Sequence, residues 1–130
     1  MKQIIKENLN NFMNYYHELH DSYIKEFNYD VYDSKIELLI DVCWFGELIL
    51  KDDNSYETNK IKLKMILNSI KTFNIKDYFS WDYIDKLYMK FIKLENKEYI
   101  CFASSEEEPL IYIVCDSIEY EEIIDKDKEK

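Results

Sequence analysis

The sequence predicts an α+β fold, with an N-terminal helix packed on a coiled antiparallel β-meander of about five or six strands. Three observations carry that expectation. Lys35–Leu50 sets Ile36, Leu38, Ile40, Val42, Trp44, Leu48 and Leu50 at alternate positions, with Lys35, Glu37, Asp41 and Glu47 among those between. A period of two marks a half-buried strand, because successive side chains leave opposite faces. Residues 2–20 instead carry Ile5, Leu9, Phe12, Met13, Tyr16 and His20 on one stripe, the period of a helix. Finally, the strand-like runs after Lys35 lack the helical crossovers that parallel pairing needs, which excludes a doubly wound α/β sheet.

In chain order, His20-Asp21-Ser22 marks the exit from the helix, since such residues bond their own backbone and favour ends and turns. A short strand over Tyr23–Tyr29 shifts the parity of its apolar residues between Ile24 and Phe27, as a bulge does. Residues 30–34 turn the chain into the long strand, where Gly46, the one glycine of the chain, predicts a bend. The polar run at 51–59 leads to Ile61, Leu63, Met65 and Leu67 alternating with lysines at 60, 62 and 64, the expected antiparallel partner of the first long strand. Residues 73–94 read as a loop to about Asp82 and then a strand, although Phe79, Tyr83, Leu87 and Phe91 also recur at helical spacing. Lys97–Ala103 and Leu110–Ile118 read as a final hairpin. Residues 120–130, mostly Asp, Glu and Lys, read as a frayed tail of one domain spanning 1–130.

The totals narrow the function. With 130 residues, 47% of them apolar and 16% aromatic, the chain can bury a core without disulfides or metal. No apolar run approaches the roughly 18 residues of a membrane span, and the start MKQIIKENLNN is no secretory signal, so no membrane partner and a cytoplasmic location are expected. Cys43, Cys101 and Cys115 are scattered within apolar runs and read as buried reduced thiols. A net charge of −10, with 17 basic residues that are all lysine, argues against nucleic acid and points to a basic partner or merely to solubility. Removing everything from Glu119 onward takes away six acids and three lysines, so the body stays strongly acidic.

Candidate chemistry is sparse. His17 and His20, three apart on a helix with Asp21 next in line, can share a metal, or they can cap the helix C-terminus structurally. The missing ligands of a complete zinc set favour the structural reading, and no cofactor or metal is expected. His20-Asp21-Ser22 lists the residue types of a hydrolase triad, yet neighbours in sequence diverge in space. A single glycine rules out phosphate-cradling loops. No catalytic residue is expected. Two segments offer partner-binding surface: Glu106, Glu107 and Glu108 at a hairpin tip, and Tyr78, Phe79, Trp81 and Asp82, where rings would anchor and acids form a rim. Their competing readings are a solvated loop and a satellite core cluster. A different class of function would place a small-ligand or metal site, or an enzyme's site, between helix and sheet, using His17, His20, Asp21 and Asp41 or Glu47.

The helix ending in His20-Asp21-Ser22, the strand SYIKEFNYD and the strand KIELLIDVCW together resemble small uncharacterised α+β proteins of Gram-positive bacteria, some of them similar to immunity proteins of polymorphic toxins. The resemblance spans about the first 45 residues. It implies an α+β fold, no catalysis and a protein partner; taken with the acidity of the chain, a basic toxin is the partner expected.

Overall fold

The computed structural model describes residues 1–56, 60–76, 86–105 and 107–123. Strand β1 (Lys2–Gln3) is followed by helix α1 (Lys6–Tyr15), a 3-10 turn at His17–Leu19, and strands β2 (Tyr23–Asp30), β3 (Lys35–Val42), β4 (Ile61–Ile75), β5 (Tyr88–Leu94), β6 (Lys97–Ala103) and β7 (Ile111–Ile123). These make one antiparallel sheet of seven strands in the order β2-β3-β4-β7-β6-β5, with β1 paired to β7. The sheet is therefore two three-stranded meanders joined along β4 and β7, where a single meander of five or six strands was expected. Both joining strands are long and apolar on one side, and only their pairing buries both inner faces.

The predicted helix of residues 2–20 is shorter at both ends. Ile4 enters the core from an extended chain, its N–H bonded to the Ile118 carbonyl at 2.8 Å. Ile5 has no side-chain oxygen with which to cap, and Asn8 supplies the lack by returning Oδ1 to the Ile5 N–H at 2.8 Å. At the other end His17, Glu18 and Leu19 take φ of 49°, 56° and 54°. This left-handed turn throws Leu19 inward, where it is fully buried.

The inner face carries Ile36, Leu38 and Ile40 opposite Leu67, Met65 and Leu63, and Phe102 opposite Ile113, all buried; Phe12, Tyr16 and Leu19 close over it. The parity change expected between Ile24 and Phe27 is a bulge at Ile24–Glu26. A second bulge lies in β4 between Ile70 and Thr72, beside Ser69 at φ 55°. Ser34 clasps that bend, its carbonyl and hydroxyl both accepting from the Ile70 N–H at 3.1 and 3.0 Å.

The sheet curls sharply there. Through Leu38, Phe27 faces Met65, and in a flat sheet Phe73 would lie eight residues or roughly 26 Å further along. Instead the Phe73 ring sits 5.8 Å from that of Phe27 and 5.0 Å from that of Tyr29.

Three strand limits differ from expectation. The strand over 35–50 stops at Val42, because its neighbours run out there: β2 pairs back only to Tyr23 opposite Asp41, and β4 begins at Ile61 opposite Val42. β4 runs on to Ile75. β7 continues through residues 120–123, the start of the expected tail; Glu119 and Glu121 face outward beside Ile66 and Lys64 while Tyr120 faces Met65. Acidic alternation there was the solvated side of a strand. Residues 124–130, the rest of the expected tail, lie outside the described residues.

Cys43, Cys101 and Cys115 are free thiols. Among the described residues, no helix is long and apolar enough to cross a membrane.

Candidate functional site

Residues 43–56 leave the sheet between β3 and β4 as an arm, and the predicted junction residues hold its base. Gly46, at φ 63°, donates its N–H to the Tyr15 carbonyl at 2.7 Å, and its own carbonyl accepts from His17 Nε2 at 2.8 Å. The glycine thus satisfies a carbonyl at the end of α1 that the helix cannot satisfy itself. Trp44 Nε1 donates to Asp21 Oδ2 at 3.1 Å, and His20 Nε2 lies 3.3 Å from the same oxygen. Glu18 fastens the turn from the other side, its carbonyl accepting from the Leu87 N–H at 2.8 Å and its carboxylate pairing with Lys86 at 3.1 Å. The anticipated bend at Gly46 is therefore a docking contact of the arm on the helix end.

A Cβ at position 46 would meet the Tyr15 ring at 3.4 Å, and an L-residue is strained at this φ whatever the space. Gly46→Ala is expected to lower stability by about 1–2 kcal/mol. Equilibrium urea unfolding measures it, and an unchanged midpoint would refute the anchoring role.

Beyond its base the arm turns at residues 51–55, with Leu50 bridged to Tyr56. Ile49, Leu50 and Tyr56 are 58%, 59% and 48% exposed, and Trp44 packs edge-on against Tyr56 with centroids 6.4 Å apart. Glu47, Asp52 and Asp53 are exposed beside them, against one lysine, Lys51. Asp53 accepts from the Ser55 hydroxyl and N–H, which hold its carboxyl below the usual carboxylate range.

The junction residues are engaged with the arm. His17 and His20 do line one groove of about 480 Å³, with Met13, Asn14, Glu18 and Lys86. Yet His17 is committed to Gly46, and among the described residues no three His, Cys, Asp or Glu are placed to hold a metal ion. Ser22 is wholly buried while His20 is exposed, so the three residue types of a triad do not converge. Ser22 Oγ has no hydrogen-bond partner among the described residues. Ser22→Ala is therefore expected to leave stability unchanged or raise it by up to about 1 kcal/mol, since a buried hydroxyl without a partner costs desolvation with no return. A fall of that size in thermal unfolding would point to a partner for the hydroxyl.

Of the other expected site residues, Glu107 and Glu108 are exposed between β6 and β7, with Ser105 donating to the Glu107 carbonyl at 2.6 Å. Glu106, Tyr78, Phe79, Trp81 and Asp82 lie outside the described residues. Asp41 pairs with Tyr23 and Lys62 on the outer face and so points away from the helix; Glu47 belongs to the arm. Neither lines a groove between helix and sheet.

Such a groove does exist, built from helix-stripe residues and the end of β7. A cleft of about 790 Å³ opens between α1 and the end of β7, lined by Phe12, Tyr15, Tyr16, Tyr120, Glu121 and Glu122, with Met1, Lys2, Asn8 and Asn11 at its border. The Tyr16 hydroxyl donates to Glu122 Oε1 at 2.9 Å. Burial first, and then this carboxylate, push the Tyr16 hydroxyl well above the ordinary tyrosine range; Tyr120 is raised by the same two causes. Glu122 has the parity of Tyr120 and so lies on the helix side of the sheet, yet it is exposed, because the sheet there runs past its core. That parity was the available signal. Tyr15 links the two features, since its ring lies against Gly46, 6.4 Å from Phe45, and also lines the cleft.

No family model, curated protein or solved structure matches the chain.

Proposed function

We propose that this protein is a non-enzymatic acidic module that binds a basic protein partner through the arm at 43–56, as an immunity-type protein neutralising a toxin would. The observation that supports it is the exposure of Ile49, Leu50 and Tyr56 side by side among Glu47, Asp52 and Asp53. Large apolar side chains held in water on a fixed support, with charge around them, match the build of an interface: the apolar groups supply affinity and the acids steer a cationic partner. The overall charge of −10 favours the same encounter. The anchors at Gly46, His17 and Asp21 keep the arm ordered before binding, which lowers the entropic cost of association.

The test is capture on the immobilised protein with wild type and a double variant, Ile49→Ser with Leu50→Ser, compared side by side. A basic protein retained at low salt, released at high salt and lost by the variant is the expected result. Retention of nothing at low salt, or equal retention by the variant, overturns the reading.

The alternative, a small-ligand site between the N-terminal helix and the sheet, has one observation in its favour, the cleft beside Tyr16 and Glu122.

A further inference from the structure

The cleft has walls of a particular chemistry. Phe12, Tyr16 and Tyr120 are set at steep angles: centroids are 4.8 Å apart at 51° for Phe12 and Tyr16, 4.8 Å at 63° for Phe12 and Tyr120, and 6.2 Å at 82° for Tyr16 and Tyr120. Tyr15 meets Tyr16 at 84°. Phe12 and Tyr16 are nearly buried and form the floor, whereas Tyr15 is 45% exposed and stands at the rim. These rings line the cleft, and an aromatic face, with its negative quadrupole, attracts a cation.

The carboxylate of Glu122 adds a full charge, and it is held in place. Tyr16 donates to Oε1, fixing the carboxylate where the strand carries it past the core and leaving Oε2, among the described residues, for another donor. A hydroxyl spent on orienting a carboxylate is an arrangement that favours a positive group beside it. Among the described residues the side-chain cation at the border is Lys2, beside the amino group of Met1; Lys2 is exposed and stands opposite Tyr120 in the β1–β7 register. Its flexible stem can swing clear of an entering cation.

We infer that the α1–β7 cleft is a binding site for an alkylammonium or guanidinium group, held between the rings of Tyr15, Tyr16 and Tyr120 and the carboxylate of Glu122. This rests on the reading of the protein as a module for a basic partner where the cation is that partner's lysine or arginine side chain. Tyr15, shared by cleft and arm base, makes the two a continuous surface. A free small amine offers the same chemistry from another source.

Tetramethylammonium is the probe, titrated into the whole protein while the aromatic resonances of Tyr15 and Tyr120 are followed by NMR, with sodium chloride at matched ionic strength as control. A saturable shift in the millimolar range is expected. It should weaken several-fold in Glu122→Gln, whose amide oxygen still accepts from Tyr16, and persist in the Ile49→Ser, Leu50→Ser variant. No saturation, or equal saturation in Glu122→Gln, overturns the cation site and leaves the arm reading standing. Failure of partner capture with an intact probe response overturns the arm reading alone. Where a partner is captured, its release by tetramethylammonium and its loss in Glu122→Gln assign the cation to its side chain; capture that neither affects assigns the site to a free amine.

Discussion

Leu19→Ala is expected to lower stability by about 2–5 kcal/mol, the range for emptying a fully enclosed leucine site. The loss comes from the emptied site, since the backbone cost of the turn is carried by both forms. His17, Glu18 and Leu19 sit in succession at φ of 49° to 56°, a conformation that costs L-residues roughly 1–2 kcal/mol each. The burial of Leu19, the Glu18 to Leu87 bond and the His17 to Gly46 bond are what oppose that strain. Removing the leucine leaves the strain with less against it. Glu18→Gly tests the other side of the balance. Glycine adopts this φ freely, so relief of about 1 kcal/mol should exceed the few tenths lost with an exposed Lys86 pair. Urea unfolding of both variants measures the pair of effects. A Leu19→Ala loss below about 1 kcal/mol, or a Glu18→Gly variant weaker than wild type, would mean the turn is not the strained pivot described here.

That turn also shows where local sequence stops determining the chain. The stripe of Leu9, Phe12, Met13 and Tyr16 was legible because a helix shows its buried face at a fixed spacing. Its end was not, since His-Glu-Leu contains neither the glycine nor the asparagine that ordinarily marks a left-handed turn, and the conformation is imposed by the pocket that receives Leu19. β3 was legible up to Val42 for the same reason of period, but its apolar alternation carries on where the partner strands stop. A strand's length is a property of its neighbours. The junction of β4 with β7 escaped altogether, because it brings together residues about fifty positions apart, as Asn68 and Ser117 show.

The site was legible in part, and in an altered role. His17 and Asp21 were singled out for their chemistry and prove to fix an arm, through Gly46 and Trp44. The arm's run of Leu48, Ile49 and Leu50 gave no sign of departure from the sheet, since Leu38, Leu39 and Ile40 run together within β3 itself. Glu122 was concealed by composition, since EYEEI reads as tail until its parity with Tyr120 is set against a partner strand.

Raising the pH should unfold this protein by a route that carboxylates do not control. Burial first, and then the charge of Asp116, push the Cys115 thiol from its ordinary 9.0 up to about 12. Burial likewise raises Cys101, Tyr16, Tyr112 and Tyr120, with Glu122 adding to the effect at Tyr16 and Tyr120. Each of these groups is neutral when protonated, and each has a folded value above its unfolded one. Their stabilisation is therefore complete below the unfolded values, near 9 for thiols and 10 for tyrosines, and is lost as pH climbs through the folded values. For Cys115 the gap between 9.0 and about 12 corresponds to roughly 4 kcal/mol, an appreciable share of the 5–15 kcal/mol that holds a typical domain. Urea midpoints should stay level up to about pH 9 and then fall steeply toward about pH 11. Cys115→Ala separates this cause from general repulsion in an acidic chain. The variant starts lower at neutral pH, for the contacts it gives up, but its alkaline slope should be visibly shallower. A flat profile to about pH 11, or a variant with the wild-type slope, would show that the thiol is not the group whose ionisation opens the core.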